Sequence, residues 1–129
     1  MAFIDLDNFK TINDTFGHKS GDIILQEASK RLSVCLRADD IVCRFGGDKF
    51  IIVLKKIDRE ECVSISERII LEFRNEFVIN DGNTVFTSPS IGICLYPQDG
   101  KNVEDLLMHA DAAMYFAKNN GKNNYHFFS

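Results

Sequence analysis

The chain has 129 residues, 45% of them hydrophobic and 26% charged, with a formal net charge of −4. This is enough for one domain with a real core and too little for two, and the acidic balance speaks against a general nucleic-acid binder, which carries a basic face. No apolar run approaches the length of a membrane span and no secretory leader opens the chain. The composition therefore reads as a cytoplasmic protein, or the cytoplasmic part of something larger, with no nucleic-acid partner and no direct membrane insertion.

In chain order, "AFIDLD" (2–7) reads as a short buried strand. "NFKTINDTFGH" (8–18) places Phe9, Ile12 and Phe16 at helical spacing, with Gly17 as the C-cap. "SGDIILQEASKRLSVCLR" (20–37) opens on Ser20, a good N-cap, and lines Ile24, Ala28, Leu32 and Cys35 along one helical face. "DIVCRF" and "KFIIVLK" then flank Gly46-Gly47 as a hairpin, the glycines supplying the positive φ a tight turn demands. Asp58 and Glu61 form a capping-box pattern before a helix whose apolar face is Cys62, Ile65, Ile69 and Phe73.

Residues 77–97 contain Asp81-Gly82 between alternating runs, a hairpin signal. Val103, Leu106, Leu107, Ala110 and Met114 mark a last helix, and "NNYHFF" reads as a final edge strand. The order βααββαβββαβ gives an α+β fold, a sheet with helices packed on it. The four cysteines (Cys35, Cys43, Cys62, Cys94) show no C-x-x-C and no metal-ligand spacing with histidine, so they read as small buried thiols.

Three clusters carry chemistry. Asp5 and Asp7, with Lys10, Asn13 and Asp14 following, suit either Mg²⁺ on a triphosphate or an acidic cap before a helix. The Gly46-Gly47-Asp48-Lys49 tip suits a close backbone approach to a ligand or a plain turn. Lys118 and Lys122 suit phosphate binding or opposition to a helix dipole.

Together these segments match one family. "FIDLDNFKTINDTFGHKSGD" resembles the D-x-D-x-F-K-x-x-N-D-x-x-G-H-x-x-G-D segment of the GGDEF domain, the diguanylate cyclase fold of bacterial second-messenger signalling. "RADDIVCRFGGDKF" resembles R-x-x-D-x-x-x-R-x-G-G-D-E-F, and "SIGI" and "ADAAMYFAKNNGKN" resemble the later blocks. The resemblance implies a mostly antiparallel five-stranded sheet flanked by helices, like a polymerase palm or nucleotidyl cyclase. It also implies that two domains, each holding a GTP, meet to make cyclic di-GMP.

By matching positions, the resemblance makes Asp5 a ligand for Mg²⁺ or Mn²⁺, assisted by the Leu6 backbone carbonyl. Amides around Asn8, Phe9 and Lys10 would cradle phosphate, as a helix N-terminus does. Asn13 and Asp22 would read the guanine edge, and Lys118 and Lys122 would hold the β- and γ-phosphates. Asp48 would stand near the reacting ribose. Lys49 takes the place of an acid that ligates the metal, so the signature is degenerate. A unit charge pair ~4 Å apart is worth roughly 4 kcal/mol at an effective dielectric of 20. Exchanging that attraction for repulsion predicts impaired metal binding, with Lys49 either close to the vacated metal position, paired with Asp5 or touching the triphosphate, or turned to solvent.

Arg37 and Asp40 match the family's R-x-x-D inhibitory site for cyclic di-GMP. An Arg fork and a carboxylate suit guanine and phosphate, whereas a surface ion pair would contribute little. The family's usual N-terminal helix has no counterpart before Met1, which predicts apolar surface left open on one sheet face. Two functions follow from the resemblance. One is an impaired GGDEF domain, spanning 1–129, that binds GTP or cyclic di-GMP as a regulatory module. The other is an active diguanylate cyclase. A homodimer and a neighbouring EAL-type or sensory domain are the implied partners.

Overall fold

A computed structural model describes the backbone of residues 1–129 and every side chain except that of Asp81. The first strand, β1 (Ala2–Leu6), is the middle of a five-stranded sheet of order β2-β3-β1-β6-β7. Its neighbours are β3 (Lys49–Val53) and β6 (Pro89–Ile93), both antiparallel to it. β2 (Ile41–Arg44) forms one edge, and β7 (Tyr125–Phe127) forms the other, parallel to β6. The sheet is thus mostly antiparallel, and the order of elements is the one the sequence predicts.

Alternation along the strands sorts the side chains onto two faces. Ala2, Ile4, Leu6, Phe50, Ile52, Ile91 and Ile93 form one core with α2 (His18–Cys35) and α3 (Arg59–Glu72). Phe3, Ile51 and Cys94 form the other with α4 (Val103–Asn119). α4 lies on β6 so closely that a Cβ at Gly92 would stand 2.1 Å from the Ala110 carbonyl oxygen. α4 packs on β6, β7 and β1 and stops short of β2, so Ile41 and Phe45 are half exposed, at 48% and 51%.

α3 begins as the sequence indicates, with the Asp58 carboxylate accepting the Glu61 N–H at 2.8 Å. A second, two-stranded sheet pairs β4 (Phe77–Val78) with β5 (Thr84–Val85) across a 3-10 turn at Asn80–Gly82. This is the predicted hairpin, with a longer connection than Asp-Gly suggests. Buried Arg31 anchors it to α2: its guanidinium donates to the Glu72, Asn75 and Glu76 carbonyls and stacks 3.7 Å from the Phe77 ring centroid. Among the described residues no helix is long and apolar enough to cross a membrane.

Two expectations are corrected. α2 starts at His18 with Gly17, not Ser20, as its N-cap, and Ser20 is buried in the first turn. Gly17 (φ 92°) ends α1 (Phe9–Phe16) and starts α2 with no linker between them, so the helix is already running at Ser20. Cys43 is exposed, because it lies on the part of β2 that α4 does not reach. Cys35, Cys62 and Cys94 are buried as predicted, and burial pushes their thiol pKa values up.

Candidate functional site

The site is built at one end of the sheet. After β1 the chain turns through Asn8 in a left-handed conformation (φ 60°) and enters α1 without a side-chain cap. The first amides of that helix, from Phe9 and Lys10, are left without intrahelical partners, which is the arrangement that receives an anion. Lys122 reaches the same turn, its Nζ donating to Asn8 Oδ1 at 3.1 Å. Lys118, in the last turn of α4, lies 3.6 Å from Asp5 Oδ2 and 3.3 Å from Asp7 Oδ1. Asp5, Asn8, Phe9, Lys10, Lys118 and Lys122 are thus brought together around the start of α1.

Asp7 holds this end together. Buried to 2% exposure, it accepts the Ser88 and Ser90 hydroxyls and the Asn123 N–H in addition to Lys118. The sequence marks Asp7 as an acid near the site but gives it no structural role. The two serines of "SPS" flanking Pro89 are the signal that could have supplied one.

Asp5 and Asp48 form a second feature. Burial, then Asp48, raise the Asp5 pKa from 3.8 to about 7, against the opposing charges of Lys118 and Lys49. Asp5 Oδ1 is buried without a hydrogen-bond partner. Asp48 can serve as that partner only while a proton is held between the two carboxyls. An orphaned buried oxygen beside a second carboxyl is a donor that a divalent cation could use. The fit is incomplete, because among the described residues no three His, Cys, Asp or Glu side chains converge on one position.

Lys49 stands directly opposite Asp5 in the β1–β3 register. Its side chain is half buried and forms no ion pair with Asp5. The ammonium lies along α4, 5.6 Å from the Tyr115 ring centroid and 6.0 Å from that of Phe3. Burial lowers the Lys49 pKa, but the Tyr115 phenol oxygen, Asp111 and Asp5 outweigh it and raise the net value. The Gly-Gly tip itself is a hairpin with φ of 69° and 51° at Gly46 and Gly47, closed by Arg44 Nε donating to the Gly47 carbonyl at 3.0 Å.

Asn13 and Asp22 come from the α1–α2 junction. Gly21 leaves room for Asn13, since a Cβ there would meet Asn13 Oδ1 at 2.2 Å. Asp22 lines a cleft of about 380 Å³ with Leu25, Ser29, Arg44 and Phe50, between α2 and the hairpin. Arg37 and Asp40 lie beyond the far end of α2, about 20 Å along the helix from Asp22 at 1.5 Å per residue. There the Arg37 fork is already engaged, with Asp40 at 3.1 Å through both Nε and Nη2, with Glu61 and with the Lys55 carbonyl. Burial works to raise the Asp40 pKa, but Arg37 and the N–H groups of Arg37 and Lys55 hold it below the usual carboxylate range. Arg68 stands nearby, donating to the Cys35 carbonyl at 3.0 Å.

The family model described as "Diguanylate cyclase, GGDEF domain" matches residues 1–124. The chain belongs to the GGDEF family. It is 40% identical over 128 residues to the bifunctional diguanylate cyclase/cyclic di-GMP phosphodiesterase MucR of Pseudomonas aeruginosa, covering 99% of this chain and 18% of that protein. The crystal structure of the GGDEF domain of PA1120 (YfiN or TpbB) from the same organism superposes with a TM-score of 0.97 at 38% identity, covering 99% of this chain and 80% of that one. An EAL/GGDEF domain protein from M. capsulatus gives a TM-score of 0.91 at 43% identity, covering 99% and 83%. The chain is thus a GGDEF domain of cyclic di-GMP signalling, and it spans less than a fifth of the length of MucR.

Proposed function

We propose that this GGDEF domain binds guanine nucleotide as a regulatory module, with its own cyclase chemistry impaired at position 49. The observation that carries the reading is the register of Lys49 opposite Asp5, which puts a lysine on the strand position facing that carboxylate where the family has an acid. The remaining parts support nucleotide binding. The amides at the start of α1, with Lys118 and Lys122, hold the triphosphate, while Asn13 and Asp22 read the guanine edge. Asp48 stands near the reacting ribose.

Asp5, the Leu6 carbonyl and Asp48 are the groups that would hold Mg²⁺ or Mn²⁺. Such an ion supplies positive charge to the attacking and leaving oxygens. Lys49 weakens its seat without filling it. Arg37 and Asp40 are the proposed site for cyclic di-GMP, which must draw the guanidinium from its present partners. A homodimer, an EAL-type or sensory neighbour and a cytoplasmic setting belong to the same reading.

A second reading, an active diguanylate cyclase, is favoured by the open Asp5 Oδ1. Incubation of concentrated protein with GTP and Mg²⁺ or Mn²⁺, against a Lys49→Glu control, separates the two. The expected outcome is GTP binding by both proteins, with cyclic di-GMP yield about a hundredfold lower from the native chain, as ~2.7 kcal/mol of lost cation stabilisation implies. Equal yield from the native chain overturns the impairment. No binding of GTP by either overturns the module.

A further inference from the structure

The Arg37 guanidinium is held from three segments of the chain, and the three holds differ in strength. Asp40, just before β2, takes it as a fork, with Nε on Oδ2 and Nη2 on Oδ1, both at 3.1 Å. The same carboxylate receives the Arg37 and Lys55 N–H groups at 2.9 and 3.4 Å, and its side chain is covered. The Lys55 carbonyl, beyond the end of β3, accepts Nη2 at 2.6 Å. Nη1 has a different partner. It donates to Glu61 Oε2 at 3.3 Å, a single bond between side chains that are 41% and 49% exposed.

Glu61 reaches this place by leaving another. It stands third in α3, where the acid of a capping box turns back to the N–H of the cap residue. Here half of the box forms: Asp58 accepts the Glu61 N–H, while the Glu61 carboxylate goes to Arg37. We infer that Glu61 is an internal occupant of the Arg37 site, its carboxylate seated at the guanidinium nitrogen that a phosphate or guanine oxygen of cyclic di-GMP would take, so that the ligand must displace it. The inference rests on the reading of Arg37 and Asp40 as the site for that dinucleotide. A bidentate, covered pair is strong and an exposed single one is weak, so Asp40 keeps its fork while Glu61 yields. A carboxylate left at Nη1 would also repel an incoming phosphate. Glu61 therefore sets how much dinucleotide is needed to engage the site.

Calorimetric titration with cyclic di-GMP tests this in four proteins: the native chain, Glu61→Gln, Glu60→Gln and Arg37→Ala. Gln at position 61 keeps the backbone N–H that Asp58 caps, so α3 retains its start. Glu60 is the neighbouring acid in the same turn and has no bond to Arg37 among the described residues, so its change controls for net charge. Glu61→Gln is expected to bind about three to five times tighter than the native chain, the size of an exposed ion pair. Glu60→Gln should stay close to native, and Arg37→Ala should lose binding. Damage to the fold weakens binding, so a gain is a readout that a structural role would not give. Unchanged or weaker binding by Glu61→Gln, or an equal gain in Glu60→Gln, would overturn the inference while leaving the site standing. Undiminished binding by Arg37→Ala, or none by the native chain and Glu61→Gln alike, would remove the site itself, and both readings with it.

Discussion

Two carboxyls that share one buried corner give the metal-free domain a pH signature of its own. The folded Asp5 pKa of about 7 lies above the ordinary 3.8, so between those values the native state binds more protons than the unfolded chain. Stability from this group is full below 3.8 and is lost as pH rises through about 7. Asp5→Asn, denatured in chelator, should therefore gain stability relative to the native chain on going from pH 5 to pH 8. A constant difference across that range would contradict the assignment. Asp5 and Lys49 could be singled out in the sequence because motif position marks them, and the structure sets them opposite each other. The seat of Lys49 beside Tyr115 could not, since that residue lies more than sixty positions away and only the docking of α4 brings it near.

Helix and strand contacts set the rest of the site. α1 and α2 touch across Gly21, where an added Cβ meets the Asn13 amide at 2.2 Å and the Phe9 ring at 3.2 Å. Gly21→Ala should leave the melting temperature within a few degrees, because the Asn13 side chain is free to turn away. It should also weaken GTP binding, read by calorimetry, since Asn13 can no longer face the base. Unchanged binding would remove Asn13 from the guanine edge. Element types and order were readable from periodicity, turn glycines and the Asp58 cap. The start of α2 was not, because Ser20 is a good cap residue by chemistry, while the reversal at Gly17 makes a cap there redundant.

At the scale of the whole molecule, Asp7 joins segments that the chain keeps far apart: the end of β1, the serines flanking Pro89, Lys118 on α4 and the Asn123 turn. Asp7→Ala would leave two hydroxyls and the Asn123 N–H without their acceptor and Lys118 with Asp5 alone, a loss of about 3–5 kcal/mol by analogy with breaking buried ion pairs. Against a total of about 5–15 kcal/mol, that should leave the domain marginal in urea denaturation. A loss under about 1 kcal/mol would show the hub to be dispensable. The sheet order carries a kinetic consequence. β1 is the first strand in chain order but the central one in space, and β6, its second partner, lies some ninety residues downstream. As the ribosome adds about 5–20 residues per second, the middle of the sheet waits several seconds with one side unpaired. Closure of that side is a long-range event of high contact order, and until it happens β1 offers a bare apolar edge to chaperones and to other nascent chains.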